Sequence, residues 1–280
     1  MKKIVIGIAA FIILASLSFG QFSLRLTGGM VRIAGGDYNK GMDGRNDFAK
    51  DNYFNISGTY EGLTFGTNFK GEIVFNFNDR MGIGLGCGFA QVSRDSHISY
   101  GYSPTESAEI DQFTPKVGVI PITLNFHYKV PLLAKLNLDL SVGAGYYLTK
   151  MDFEMVNSGP TWRDTYTFHS TKGLMGFQGG VGLEYTVSNQ LALILEAGGQ
   201  YAKLSEVKGD FVYDGLFHDQ GPDAILWYYD YDYRTATFRK IYPWIDLRTY
   251  DPTDPAHTNV RKGELDLSGF SALAGIKISF

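Results

Sequence analysis

Apolar and polar residues alternate with period two along most of the chain, as in strands with one apolar face. The clearest run is 81–89, where Met81, Ile83, Leu85, Cys87 and Phe89 share one parity and Gly82, Gly84, Gly86 and Gly88 the other. Seven further runs obey the same rule. Phe22, Leu24, Leu26 and Met30 alternate with Ser23, Arg25 and Thr27. Leu63, Phe65, Phe69, Ile73, Phe75 and Phe77 oppose Lys70, Glu72 and Asn76. Ile120 to Val130 opposes Thr123, Asn125, His127 and Lys129, and Leu136 to Tyr146 opposes Asn137, Asp139, Ser141 and Gly143. Met175, Phe177, Val181, Leu183 and Tyr185 oppose Gln178, Gly180, Gly182 and Glu184. Leu191, Leu193, Leu195 and Tyr201 oppose Glu196 and Gln200, with Ala192 and Ile194 blurring the pattern. Phe270 to Phe280 opposes Ser271, Gly275, Lys277 and Ser279. Each run reaches the ~9–11 residues of a tilted membrane strand. A phosphate-binding glycine loop does not explain 81–89, because such loops need other spacings and a following helix.

Connections alternate in length. Short turns fall at 78–80, 131–135 and 188–190, and long polar segments at 35–58, 94–115, 150–172 and 203–262. A soluble β-sandwich has no need of this regularity or of ten-residue apolar faces. The expected fold is all-β: an eight-stranded antiparallel transmembrane β-barrel with short periplasmic turns and long extracellular loops.

The N-terminus carries Lys2 and Lys3, an apolar stretch from Ile4 to Leu17, and Ser18-Phe19-Gly20. This is the pattern of a secretory signal peptide over 1–20, too short for a spanning anchor and followed by no lipoprotein cysteine. The barrel is then expected over 21–280. Composition is unusual for a soluble enzyme: 34 glycines in 280 residues, 15% aromatics and 19% charged residues. The single cysteine excludes an intrachain disulfide. A net charge of −4 argues against nucleic acid as partner.

Parity assigns the ionisable residues to the lumen. Arg25, Lys70, Lys129 and Lys277 face Glu72, Asp139, Glu184 and Glu196, with His127 among them. Eight strands leave just enough room for side chains to fill the interior, and buried charges must be paired. A closed core is expected, with no water-filled pore. Aromatics at both ends of the apolar faces form two girdles, and Cys87 faces lipid as a small apolar residue.

Segment 203–262 is the richest. Trp227, Tyr228, Tyr229, Tyr231 and Tyr233, with Tyr242 and Trp244, are candidates for a loop binding surface. Alternation through Tyr229, Tyr231 and Tyr233 predicts that the seventh and eighth strands extend above the membrane as a hairpin. The plainer reading is an aromatic plug over the barrel mouth. Asp251 to Pro255 lacks the spacing of an EF-hand.

The C-terminal run Ile276-Lys277-Ile278-Ser279-Phe280 resembles the terminal strand signal of bacterial outer-membrane proteins. The resemblance implies that Ile276, Ile278 and Phe280 are read by the barrel-assembly machinery. With its eight strands the chain resembles the OmpA/OmpX/OmpW-type small barrels, without the peptidoglycan-binding domain of full-length OmpA relatives. His169, with Ser170 or Thr171 and Glu184, faintly resembles the His–Ser–Glu arrangement of outer-membrane lipid A deacylases. It departs from that pattern, because His169 precedes Ser170-Thr171-Lys172 and Glu184 has lumen parity near the other end of its strand. His97, His218 and His257 are isolated in loops, and His127 is a lumen hydrogen-bonder.

The expected protein is a monomeric, non-enzymatic outer-membrane barrel, structural or adhesive through its extracellular loops. No catalytic residue, metal site or cofactor is expected. Its partners would be outer-membrane lipid, the assembly machinery and an extracellular surface ligand. The alternatives are an OmpW-like conduit for small hydrophobic molecules, which would need an apolar lumen, and a lipid-modifying enzyme.

Overall fold

A computed structural model describes residues 22–106, 108–215, 219–235 and 238–280. The expected signal peptide and His218 lie outside the described residues. The chain runs β1 (Phe22–Ile33), α1 (Asp37–Asn52), β2 (Phe54–Thr59), β3 (Phe65–Asn76), β4 (Met81–Ser93) and β5 (Ser96–Gly101). It continues with β6 (Glu109–Leu133), β7 (Leu136–Ser158), β8 (Arg163–Thr186), β9 (Leu191–Tyr201), β10 (Lys203–Ser205) and β11 (Lys208–Asp214). The last elements are β12 (Asp219–Arg234), β13 (Arg239–Arg248), β14 (His257–Lys262), β15 (Glu264–Asp266) and β16 (Gly269–Ser279).

Sixteen strands therefore stand among the described residues where eight were expected. Eight of the sixteen close on themselves by antiparallel pairing, in the order β1, β3, β4, β6, β7, β8, β9, β16 and back to β1. The expected short turns join β3 to β4, β6 to β7 and β8 to β9. Alternation makes the ring two-faced: Leu26, Phe69, Leu85, Leu124, Leu195 and Phe270 point outward and are exposed. Cys87 shares that outward face. The inward face carries glycine where long side chains need space. A Cβ at Gly84 would collide with the Glu72 carboxylate, and one at Gly86 would lie 2.7 Å from Thr123 Oγ1.

The other eight strands and α1 correct the expectation of long polar loops. β6, β7 and β8 run 25, 23 and 24 residues, far past the 11 to 13 of the other ring strands. Their upper parts absorb 109–115 and most of 150–172 and carry extra strands on both sides. β5 pairs with β6 and β2 with β5, while β11 pairs with β8 and β12 with β11. β13 and β14 both pair with β12. The aromatic strand β12 is thus not an extension of the seventh and eighth ring strands, which are β9 and β16. Those two end at the small β10–β15 ladder, and β11 to β14 extend the main sheet outward from the upper part of β8.

α1 fills the space this upper sheet encloses. Its sequence is a poor helix former, with two interior glycines costing ~1 kcal/mol each relative to alanine, so packing must hold it. Gly41 and Gly44 let it lie directly on β13: a Cβ at Gly41 would approach Ile245 N to 2.9 Å, and one at Gly44 would overlap the Pro243 carbonyl. Tyr38, Met42 and Ala49 enter a core with Phe113, Met151, Phe168 and Leu226. Leu63 joins this core, fully buried, rather than the outward row that its parity with Phe65 suggested. The chain leaves the sheet before β3 begins, and parity ceases to report facing there.

Side-chain amides stitch α1 to its neighbours as if they were backbone. Asn39 donates to the Ala34 and Leu63 carbonyls and accepts from Leu63 N–H. Asn46 donates to the Tyr60 carbonyl at 2.7 Å and accepts from Tyr60 N–H at 2.8 Å. On the other flank Asp51 accepts from Lys240 at 2.7 Å and Tyr242 at 2.8 Å. At the N-terminus buried Asp37 accepts from Arg261 and from the Glu264 N–H.

Candidate functional site

Two regions concentrate polar chemistry: the interior of the ring and the aromatic interior of the cap above it. In the ring Arg25 is the hub. β1 places it opposite Lys277 and Glu72 in register, and the wall around it curves enough to bring carboxylates from three other strands. Its guanidinium bonds Asp139, donates to Glu196 Oε2 at 3.2 Å and lies 3.7 Å from Glu72 Oε2. His127 sits between two of these carboxylates, 3.2 Å from Asp139 Oδ2 and 3.1 Å from Glu72 Oε1. Asn125 donates to Glu72 at 2.7 Å, and Gln178 donates to Asn125 at 2.6 Å. Nearer the turn end, Lys277 donates to Glu184 at 2.6 Å, and Lys129 lies 4.0 Å from the same carboxylate.

The structure thus brings Arg25, Glu72, His127, Lys129, Asp139, Glu184, Glu196 and Lys277 inside the ring. Lys70 faces the same interior, beside Gly88. The space left among these side chains is about 30 Å³, enough for one or two waters. Buried ions on this scale hold position only through mutual pairing. The arrangement neutralises charge and blocks the interior.

The cap distributes the aromatic candidates differently from an exposed binding surface. Trp227, Tyr228, Tyr229 and Tyr242 are buried. Tyr231, Tyr233, Tyr242 and Trp244 surround Phe48 of α1, with ring centroids 5.3 to 5.9 Å from it. These residues are the core of the cap and clamp the helix, so the binding-surface reading of the buried four is corrected. Sequence reasoning missed Phe48 because α1 was read as a loop.

Behind this cluster lies a buried carboxyl group. Asp111 accepts from the Tyr60 hydroxyl at 2.6 Å and lies 3.4 Å from the Tyr100 hydroxyl. Burial raises the Asp111 carboxyl above its ordinary value, and the Tyr60 bond and the Arg45 charge work against that rise. At the cap rim Asp232 is held well below the usual carboxylate range by hydrogen bonds from Arg234 and Arg239.

Among the described residues the histidines do not come together as a catalytic set. His169 bonds Asp152 at 2.7 Å on the outer surface of the cap. Ser170, next to it, points the other way and donates to the Lys208 carbonyl at 2.6 Å. Glu184 lies fifteen positions further along β8, about 50 Å at ~3.3 Å per residue, and inside the ring. His97 lies in β5, and His257 opens β14 against Tyr229 and Tyr231. Ile276 and Phe280 face outward on and beyond β16.

Solved structures with a similar course include OprG from Pseudomonas aeruginosa, 10% identical, TM-score 0.42, covering 93% of this chain and 96% of that one. A major outer membrane protein from Thermus thermophilus is 12% identical, TM-score 0.45, covering 93% and 99%. The outer membrane protease OmpT from Escherichia coli is 10% identical, TM-score 0.43, covering 93% and 97%. No curated protein sequence matches the chain. The outer membrane protein beta-barrel domain model matches residues 9–217. With its all-β antiparallel ring and apolar outer face, the chain belongs to that family, and its place is the bacterial outer membrane.

Proposed function

We propose that the closed ring of eight strands is the membrane anchor and that the folded cap on its extracellular end is the working part, a non-enzymatic surface for attachment or recognition. The observation that carries this reading is the contrast between the two halves. The interior of the ring is filled by ion pairs around Arg25, while α1 and β11 to β14 build much of 35–58 and of the described part of 203–262 into a helix-filled sheet rather than solvated loops. A wall apolar outside and charged inside suits a lipid anchor. A filled interior gives solutes no path, which counts against a conduit.

Excision tests the proposal. β10 and β15 pair as far as Ser205 and Glu264, so replacing Glu206 through Gly263 by Asn-Gly leaves a two-residue hairpin connection. The shortened protein is expected to keep a heat-resistant barrel, while cells producing it lose attachment to immobilised protein and glycan surfaces. Undiminished attachment would remove the cap from the functional role.

A further inference from the structure

The cap encloses a cavity of about 170 Å³ between α1, the upper parts of β6 and β7, and β13. Its inner wall is apolar and fully buried, formed by Met42, Phe113, Met151, Phe153, Leu226 and Ile245. Met155, Tyr166, Phe211 and Leu247, each half-buried, form the side nearer solvent. An apolar cavity of ~150 Å³ accepts a benzene ring, so this one has room for one ring or a short chain.

Two polar groups on its wall lack the partners that burial demands. Tyr38 is 1% exposed, and its hydroxyl has no hydrogen-bond partner among the described residues. Arg45 presents a buried Nε that is likewise unpartnered. Its guanidinium donates to the Ile245 carbonyl at 2.8 Å and lies over the Trp244 and Phe113 rings at 4.4 and 5.5 Å. None of these partners carries charge, and the buried Asp111 carboxyl acts on Arg45 only through space. Asp246, the carboxylate on the same wall, is already bonded by Arg248 at 2.9 Å. Leaving a buried donor unpaired costs about 1–3 kcal/mol, more for a charged group, and an acceptor anion would satisfy both donors at once.

We propose that this cavity is a binding site for a small apolar carboxylate, with the ring or chain among the methionines and phenylalanines and the carboxylate on Arg45 and Tyr38. The proposal rests on reading the cap as the recognition part and names its ligand class. Nothing in the interior of the ring is needed for it.

The test uses the full chain in lipid nanodiscs, with benzoate as probe, benzyl alcohol as its neutral counterpart and empty discs to subtract partitioning. Wild type is expected to bind benzoate more tightly than benzyl alcohol. Arg45→Gln should weaken benzoate about tenfold or more and leave benzyl alcohol within about twofold, the loss expected for a charged hydrogen bond. Tyr38→Phe, which keeps the ring and its packing, should weaken benzoate by about threefold to tenfold. Leu226→Trp should abolish both by filling the cavity, with the circular dichroism spectrum showing that the cap remains folded. Equal affinity for the two probes, or benzoate binding untouched by both Arg45→Gln and Tyr38→Phe, would overturn the assignment. Absence of benzoate binding with the cap intact would also overturn it, and would leave the attachment assay to judge the cap independently.

Discussion

Gly44 lies so close to Pro243 that the carbonyl of β13 occupies the space of a Gly44 side chain. That contact, with Gly41 against Ile245, sets the distance between α1 and the sheet. Gly44→Val should therefore undock the helix, at a cost of about 3 kcal/mol, the upper range for overpacking. Limited proteolysis would cut within 37–52 in the variant and not in wild type, while the ring keeps its heat resistance. An uncut helix in Gly44→Val would mean that the interface yields more easily than this geometry implies.

Arg25 answers for three carboxylates. Replacing it with methionine leaves Asp139, Glu72 and Glu196 facing one another, with His127 beside the first two and Asn125 donating to Glu72. Breaking a buried ion pair from one side costs about 3–5 kcal/mol. Urea titration of the folded protein in lipid should show that loss for Arg25→Met and a smaller one for Arg25→Lys. A midpoint within error of wild type would show that water, rather than Arg25, neutralises this cluster.

A filled interior makes an electrical prediction. The protein in planar bilayers should show no steady open-channel current, since about 30 Å³ among the charges is no passage for hydrated ions. Stable porin-sized steps would overturn the closed reading.

The period-two pattern made the ring legible because facing in a strand repeats every second residue. Arg25, Glu72, His127 and Glu184 could be placed inside from parity alone, and the glycines of 82–88 could be read as room for them. The cap was illegible for three reasons. α1 carries Gly41 and Gly44, which read as helix breakers until the strand they press against is known. β12 and β13 form a local hairpin, but β14 owes its place to longer-range partners such as Trp227 with Lys262, which no local window contains. Arg45 and Tyr38 are ordinary residues in sequence, and only the cavity they border makes them candidates. Their i, i+7 spacing on one helix face, with Met42 and Ala49, was the available signal.

Asp111 gives the cap a pH dependence of predictable sign. Its folded carboxyl holds a proton to higher pH than the unfolded chain does. Its contribution therefore favours the cap in acid and declines as pH rises from the ordinary aspartate value, ~3.9, to the raised one. Asp51 works in the opposite sense. Hydrogen bonds from Lys240 and Tyr242 lower it, so its contribution is present above the ordinary value and lost on acidification. Asp111→Asn should remove the decline and make the cap more protease-resistant at neutral pH than wild type, with little difference near pH ~4. Identical resistance at both pH values would show that Asp111 does not control the cap.

β6, β7 and β8 exceed their five ring partners by about twelve residues, or ~40 Å of strand. The rim of the barrel is consequently a palisade on one flank and a low sill on the other. Rotation about the membrane normal no longer yields equivalent approaches. A neighbour approaching in the membrane plane meets a tall wall from one direction and a low rim from the other. Crowding of the surrounding surface therefore acts on this molecule through its orientation, with the sill as the flank that lateral neighbours can close.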